Sequence, residues 1–413
     1  MTAERIFQLI KSFAGPTLIL RVGVVGGNFA VMLGLAWGLG LAAFGDLMVL
    51  WGIAMVAGTV LSVGAPLLIL RVMGDGTGLR PDGLLRQGVI YPGGLALAAL
   101  CVLPVLVPGV VWWAVIPTGL AVNALSCLAS MMRALGSVQF SMALRDGVPQ
   151  LALGAAACIA PEGPAAILMT AAALMFGMAG LALFWSLEHP RIGAYLRAAG
   201  DRGAVNIGLW ANAVLGTVAA QIDIILGGSL MRPEQIGLYA LVRRLANLVA
   251  LPVSVATWVS AGPVAAAFGT GDRAALRLAS AQGSRIALLP GVALFVGGLL
   301  VLSVWPALRG AEVLVVILLV GAFIQVVLAS GMTIATLCGL ERYALSARLV
   351  SIAVYLGCAL IAGQTATGNA LAYVAGIIAG GGLLWWLVWR RLGIDTSALV
   401  LWPGPRRQAW NLP

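Results

Sequence analysis

The sequence predicts an all-α polytopic membrane protein with twelve transmembrane helices. Of its 413 residues, 61% are hydrophobic and only 9% are charged, which is far from the composition of soluble globular proteins. The apolar residues form runs of about 20, the length that a helix needs to cross the hydrocarbon core of a bilayer. In chain order the predicted spans are 18–40, 47–69, 88–107, 110–132, 147–161, 164–187, 204–229, 236–262, 286–306, 311–337, 346–363 and 369–389.

Basic residues predict the orientation of these spans. Of the 24 Lys and Arg residues, 20 fall on one side of the predicted membrane and only two, Arg232 and Arg309, fall on the other. Cytoplasmic loops carry such an excess of positive charge. The sequence therefore predicts a multi-pass protein of the bacterial inner (plasma) membrane with both termini in the cytoplasm. This distribution also explains the net charge of +10 without a nucleic-acid partner.

Several absences disfavour catalysis. The single lysine, Lys11, lies in no glycine-rich phosphate-binding motif, and the longest loops between predicted spans run to about 18 residues. The five cysteines have no metal-ligand spacing, and the single histidine, His189, falls in a predicted loop. We therefore expect a transporter that is not an enzyme and that has no metal or other cofactor.

A weak internal repeat predicts two halves. The segment at 62–88 has a counterpart at 260–283, at an offset near 195 residues. Two halves of six spans with the same orientation are a recurrent plan of secondary transporters. The predicted parts are an amphipathic cytoplasmic segment at 1–17, an N-terminal lobe at 18–190, a linker at 191–203, a C-terminal lobe at 204–389 and a cytoplasmic tail at 390–413.

Three charged residues lie within the predicted spans. Asp223 is about five residues from the outer end of span seven, and Arg243 and Arg244 are seven and eight residues into span eight. Ionisable groups at membrane depth are costly and mark candidate functional sites. The acid and the bases reach similar depth, so they could form an ion pair. Spans one to six contain no clear intramembrane acidic residue.

The segments around these charges resemble a known family. Gln221-Ile222-Asp223 through Gly227-Gly228, then Pro233-Glu234 through Gly237-Leu238-Tyr239, and then Arg243-Arg244-Leu245 resemble the seventh and eighth spans of polysaccharide-unit flippases. These Wzx-type proteins share a superfamily with MATE multidrug exporters and lipid II flippases. The resemblance implies two six-helix lobes in a V-shaped, MATE-like transporter with a central cavity.

The resemblance also implies a function. The cargo would be an undecaprenyl-diphosphate-linked oligosaccharide that moves from the cytoplasmic to the periplasmic leaflet by alternating access, without ATP hydrolysis. This places the protein in polysaccharide biosynthesis, for O-antigen (lipopolysaccharide) or exopolysaccharide. Membrane lipids, a polysaccharide polymerase and chain-length machinery are candidate partners. Coupling to a proton gradient, to a sodium gradient or to the membrane potential is left open.

Residue roles follow from this interpretation. Arg243 or Arg244 would bind the phosphate or sugar unit, because a guanidinium offers bidentate donors to phosphate. Asp223 would orient that arginine, whereas the alternative is a structural salt bridge. Amides that could meet sugar hydroxyls are Asn28, Asn212, Asn247 and Gln221, although buried amides also bind neighbouring helices. Pro252 is the candidate hinge, because proline removes a helix hydrogen bond.

Two other function classes stay open. A cation-coupled multidrug or small-molecule exporter of the MATE class is the main alternative. Such exporters often carry a coupling carboxylate in the N-terminal lobe, and the apparent lack of one here favours an anionic cargo. A membrane scaffold for glycan assembly is the third class.

Overall fold

A computed structural model describes residues 15–74, 86–134, 136–187, 207–304 and 310–398. Within these ranges the chain is helical and contains no strand, so the predicted all-α class is confirmed. The predicted linker at 191–203, most of the predicted N-terminal segment and the end of the tail lie outside the described residues.

The helices before residue 200 begin with a long one. They are α1 (Gly15–Leu61), α2 (Ala65–Gly74), a π-helical turn (Arg86–Ile90) leading into α3 (Tyr91–Leu106), α4 (Trp112–Ala134), α5 (Val138–Met142), a second π-helical turn (Ala143–Gly147), α6 (Val148–Ile159) and α7 (Pro164–Leu187).

The later helices include one that is clearly broken. They are α8 (Ile207–Leu230), α9 (Pro233–Val249), α10 (Leu251–Gly269), α11 (Arg273–Val304), α12 (Glu312–Val327), α13 (Ser330–Leu337), α14 (Glu341–Ala362) and α15 (Ala366–Leu392). Helices α12 and α13 are together long and apolar enough for one membrane span, but they are bent by 43° at their break.

In the described ranges, nine helices are long and apolar enough to cross a membrane, or ten if α12 and α13 form one span. Two features lower this count. The helical run at 138–159 is divided by its π turn, and α9 has only 17 residues. Conversely, α1 has 47 residues with non-helical backbone at Gly40, although a single crossing needs only about 20. The count of twelve stays a prediction.

The chain divides into two compact units. Unit 1 comprises Met1–Arg244 and Cys358–Ala370, and unit 2 comprises Leu245–Gly357 and Leu371–Pro413. The predicted lobe boundaries stay a prediction. In unit 1, α4 packs against α1 and α7, and α8 packs against α1. A Cβ at Gly58 of α1 would lie 2.5 Å from the carbonyl oxygen of Gly119 of α4, so only glycine allows this approach.

In unit 2, α11 packs against α10 and α12, and α10 packs against α13. A buried apolar cluster joins α10, α11, α13, α14 and α15, and it includes Ile394 from the segment after α15. Arg277 donates a hydrogen bond to the carbonyl oxygen of Gly393 at 3.3 Å. The segment at 393–398 is therefore folded into unit 2, although the sequence predicted only a cytoplasmic tail from residue 390.

Candidate functional site

The predicted charged residues lie on two consecutive helices of unit 1. Asp223 is seven residues before the end of α8, and Arg243 is ten residues after the start of α9. Only two residues separate these helices, and such short connections join antiparallel neighbours. Tyr239 precedes Arg243 by four residues and therefore shares its helix face. The local sequence thus places the side chains of Asp223, Tyr239 and Arg243 at a similar height along the two neighbouring helices.

The Asp223 carboxylate is completely buried and accepts two hydrogen bonds on one oxygen. Tyr239 Oη donates to Asp223 Oδ2 at 2.6 Å, and Arg243 Nε donates to the same oxygen at 3.1 Å. Asp223 is 0% exposed and Arg243 is 7% exposed. The ion pair expected from the equal depth of these residues is therefore present. Buried charges are held in this way because an unpaired charge is strongly disfavoured.

Asn369 holds the backbone of the same helix. Its side-chain amide, at the start of α15, donates to the carbonyl oxygen of Asp223 at 3.0 Å. Asn369 is 0% exposed. Sequence reasoning did not single out Asn369 or Tyr239, although Tyr239 lies in the quoted Gly-Leu-Tyr motif and Asn369 is an amide in an apolar span.

Arg244 differs from Arg243. Neighbouring positions on a helix point about 100° apart, so the two side chains leave α9 in different directions. Arg244 Nε is buried, and it finds no hydrogen-bond acceptor among the residues that the structure describes. Within that part of the chain Asp223 Oδ1 is also buried and accepts no hydrogen bond. One carboxylate and two guanidinium groups leave an excess positive charge beside a buried donor, which suits an anionic ligand.

Glycines allow the helices around this site to approach closely. A Cβ on Gly237 would overlap the carbonyl oxygen of Leu41 in α1. A Cβ on Gly227 would lie 2.8 Å from a methyl carbon of Ile236 and 3.3 Å from Asn369 Nδ2. The Gly-Leu-Tyr motif therefore has a physical basis, since its glycine permits contact with α1 and its tyrosine binds Asp223.

The predicted amides do not all gather at Asp223. Asn212 is buried in α8 but lies 11 residues before Asp223, which is roughly 16 Å along the helix. Gln221 is partly buried, and its Oε1 lies 3.6 Å from the position that a Cβ of Gly52 would take. Asn247 is partly buried on α9, in the part of the chain that belongs to unit 2. Their roles toward a cargo stay predictions.

Asn28 belongs to a second polar cluster, which joins α1 to the π-helical turn at Ala143–Gly147. Asn28 Nδ2 donates to the backbone oxygen of Asp146 at 2.8 Å, and Arg21 forms an ion pair with the Asp146 carboxylate. Arg145 Nε lies 3.9 Å from the other carboxylate oxygen. Single π turns inside α-helices frequently occur at functional sites.

Asp146 lies inside a helical run, whereas the sequence placed it one residue before the predicted fifth span. The lack of a clear intramembrane acidic residue in spans one to six stays a prediction. In the structure the helical run begins at Val138, and Asp146 is its ninth residue. The π turn disturbs the helical spacing of apolar side chains, which concealed this start.

Pro252 lies beside an interruption between two helices. Helix α9 ends at Val249, Ala250 forms a turn, and α10 begins at Leu251 with Pro252 in its first turn. Proline is favoured there because the first turn has N–H groups without helix acceptors. The role of Pro252 as a hinge stays a prediction.

Comparison with known proteins identifies the fold. No protein-family model matches the chain, and no curated protein sequence matches it significantly. The inward-facing structure of a multidrug resistance MATE family transporter of the MOP superfamily is similar at 12% identity and a TM-score of 0.67, with 91% of this chain and 98% of that chain covered. The Vibrio cholerae MATE transporter VcmN in its bent form has 17% identity and a TM-score of 0.57, with 94% and 96% covered.

A lipid flippase has a similar structure too. Lipid II flippase MurJ in an inward closed conformation has 13% identity and a TM-score of 0.59, and 87% of each chain is covered. At these identities the likeness concerns the fold alone. The chain is therefore an all-helical, multi-pass membrane protein with the MATE-like transporter fold.

Proposed function

We propose that this protein is a Wzx-type flippase that moves an undecaprenyl-diphosphate-linked oligosaccharide from the cytoplasmic to the periplasmic leaflet by alternating access. Transport would proceed without ATP hydrolysis and without an enzymatic step. The proposal includes an inner-membrane location with both termini in the cytoplasm. O-antigen or exopolysaccharide assembly would supply the cargo and the downstream polymerase.

The observation that carries the proposal is the difference between the two arginines. Arg243 forms an ion pair with Asp223. The buried Nε of Arg244 has no hydrogen-bond acceptor among the residues that the structure describes. An arginine can bind a diphosphate through two parallel hydrogen bonds, and it stays charged when buried. The fold shared with MATE transporters and with a lipid II flippase supports a membrane transporter or flippase.

Asp223 and its partners Tyr239, Arg243 and Asn369 form what we call the Asp223 cluster. This cluster would position Arg244 without binding the cargo itself. Tyr239 and Arg243 fix the Asp223 carboxylate, and Asn369 fixes the helix backbone beneath it. Together these bonds anchor α8 to α9 and to α15. Because α9 is fixed, Arg244 has little freedom to move. This lowers the entropic cost of binding the cargo.

Depletion of the protein tests this function. We expect lipid-linked glycan to accumulate on the cytoplasmic leaflet, and wild-type protein to reverse this. Arg244→Ala should fail to reverse it while its abundance in the membrane stays normal. Arg342→Ala is the matched control, because Arg342 is exposed in the first turn of α14. Absence of accumulation after depletion would overturn the flippase proposal.

A cation-coupled exporter is the second candidate, and Asp146 favours it. Such exporters often carry a coupling carboxylate in the N-terminal half, and the Arg21–Asp146 pair with Asn28 supplies one in a helix of unit 1. Release of Arg21 from Asp146 could follow protonation of the carboxylate or its binding of a cation.

The two candidates differ in how they respond to Asp146→Asn. An exporter should lose gradient-driven efflux of a cationic dye from right-side-out vesicles, or its uptake into inverted vesicles. A flippase that does not use this carboxylate for coupling should retain glycan translocation. Efflux that is present in wild type and absent in Asp146→Asn, together with no glycan accumulation on depletion, would put the exporter first.

A further inference from the structure

The segment that follows α15 lies buried against the helices of unit 2. We call residues 393–398 the strap. It is neither α-helix nor strand, yet Ile394, Thr396, Ser397 and Ala398 are only 1–6% exposed. Ile394 belongs to the apolar cluster that joins α10, α11, α13, α14 and α15. The proposed cargo site in unit 1 does not use the strap.

Polar contacts tie the strap to α11 and α15. Trp385 Nε1 donates to Asp395 Oδ1 at 2.8 Å, and the N–H of Ser397 donates to the same oxygen at 2.9 Å. Arg277 donates from α11 to the carbonyl oxygen of Gly393 at 3.3 Å. Asp395 therefore fixes both the shape of the strap and its attachment to α15.

The strap meets the bent helix pair α12–α13 at its break. A Cβ on Gly331, the second residue of α13, would lie 3.3 Å from Thr396 Oγ1 and 3.7 Å from a methyl carbon of Leu384 in α15. The absent side chain at Gly331 lets the strap and α15 pack directly on the start of α13. Because this contact is close, a change in the angle between α12 and α13 has to move the strap.

The break has the hydrogen bonding of a joint. The N–H of Ala329 donates to the Val326 carbonyl oxygen at 3.3 Å. The N–H of Gly331 donates to the Leu328 carbonyl oxygen at 3.4 Å. These bonds reach back three residues and are long for hydrogen bonds. A stretch of such bonds inside a longer helix often marks a hinge, and here the axis bends by 43°.

The docked strap contains an unsatisfied polar group. Thr396 Oγ1 has no hydrogen-bond partner among the described residues, although Thr396 is only 1% exposed. A buried hydroxyl without a partner is unfavourable, and exposure to water satisfies it. The apolar contacts of Ile394 thus favour the docked strap, whereas the Thr396 hydroxyl favours its release. This opposition lowers the free energy that release requires.

We propose that the strap is a conformational lock on the break between α12 and α13. The docked strap holds the bend. The lock opens when the hydrogen bond between Trp385 and Asp395 breaks and Thr396 leaves the start of α13, which then changes its angle to α12. This role rests on the proposed transport function, because it supplies a step of the alternating-access cycle. Release of the strap itself can be measured without cargo.

Cysteine labelling of the full-length protein in detergent tests release, in a background in which the five native cysteines are replaced. We expect Thr396→Cys to react with a maleimide faster than Ile334→Cys does. Both positions are 1% exposed, but Ile334 belongs to α13 and not to the strap. A strap that opens locally exposes only the cysteine at position 396.

The variant Trp385→Phe should raise the labelling rate of Thr396→Cys about fivefold, because the strap loses one hydrogen bond while the aromatic ring is kept. Trp386→Phe is the matched control. Trp386 is the next residue of α15, and its ring lies against the Arg390 guanidinium. This control should leave the labelling rate unchanged.

A disulfide tests whether transport requires release. The close approach of Thr396 to the Cβ position of Gly331 suits a disulfide between cysteines at these two positions. In proteoliposomes that contain lipid-linked glycan, the reduced double variant Gly331→Cys, Thr396→Cys should translocate the glycan. Oxidation should stop this translocation, and a reductant should restore it. Thr396→Cys alone is the control, and oxidation should leave its transport unchanged.

Three results would overturn the lock. The first is equally slow labelling of Thr396→Cys and Ile334→Cys, and the second is a labelling rate that Trp385→Phe does not raise. The third is glycan transport that continues at the same rate in the fully oxidised double variant. If wild type itself moved no glycan, the flippase proposal would fail, and the labelling rates would still decide whether the strap opens. The two proposals can therefore fail separately.

Discussion

The Asp223 carboxylate is fully buried, so its charge depends on partners within the protein. Arg243 supplies the counter-charge and Tyr239 a second hydrogen bond. Removing one member of a buried ion pair leaves an uncompensated charge and typically costs about 3–5 kcal/mol. We therefore expect Arg243→Ala to lower the thermal midpoint and the amount of folded protein in the membrane. By contrast, Arg244→Ala should lower transport with normal abundance.

Neutralising both partners distinguishes this pairing from a general effect of losing an arginine. The double variant Asp223→Asn, Arg243→Ala should be more stable than Arg243→Ala alone, because a neutral amide needs no counter-charge. Arg232→Ala, an exposed position in the turn between α8 and α9, should leave the midpoint unchanged. A double variant that is no more stable than Arg243→Ala would show that the buried charge is not the cause.

At the scale of the helices, the contact between α1 and α9 depends on a missing side chain. A Cβ on Gly237 would overlap the Leu41 carbonyl oxygen, and a backbone atom cannot move away as a flexible side chain can. Overpacking of this kind typically costs about 1–3 kcal/mol. We expect Gly237→Ala to lower the thermal midpoint, and to lower transport as well because α9 carries Tyr239 and Arg243.

The matched control for Gly237→Ala is Gly177→Ala in α7. Gly177 is also a helical glycine of unit 1, but a Cβ there meets nothing within 4 Å. Alanine favours a helix more than glycine does, so this control should keep or slightly raise the midpoint. Equal destabilisation by both substitutions would show that loss of glycine, and not the α1–α9 contact, is responsible.

The helices also show how far the sequence could predict the site. Asp223 and Arg243 were predictable because charge inside an apolar run is conspicuous, and the short predicted connection at 230–235 places their spans side by side. Asn369 was not, since it lies 146 positions from Asp223 and meets it only through tertiary packing. The helical position of Asp146 was not predicted, because a π turn changes the spacing of side chains along the helical run.

For the whole molecule, the number of membrane spans depends on how α1 crosses the membrane. A helix of 47 residues is roughly 70 Å long, whereas the hydrocarbon core is about 30 Å thick. Gly40 has φ +78° and ψ 158°, a conformation that only glycine adopts readily, and it lies near the midpoint of α1. We infer that α1 is two spans that meet at Gly40, as the sequence predicted for 18–40 and 47–69.

Labelling of single cysteines tests this topology in a background in which the five native cysteines are replaced. We expect Gly38→Cys, an exposed position close to Gly40, to react with a membrane-impermeant maleimide in intact spheroplasts, as the predicted outer-loop residue Glu162→Cys should. Glu341→Cys, exposed at the start of α14, should react only after permeabilisation. The contrary result is that Gly38→Cys, like Glu341→Cys, reacts only after permeabilisation. In that case α1 would cross the membrane only once and the number of spans would be odd. Both termini could then not lie in the cytoplasm.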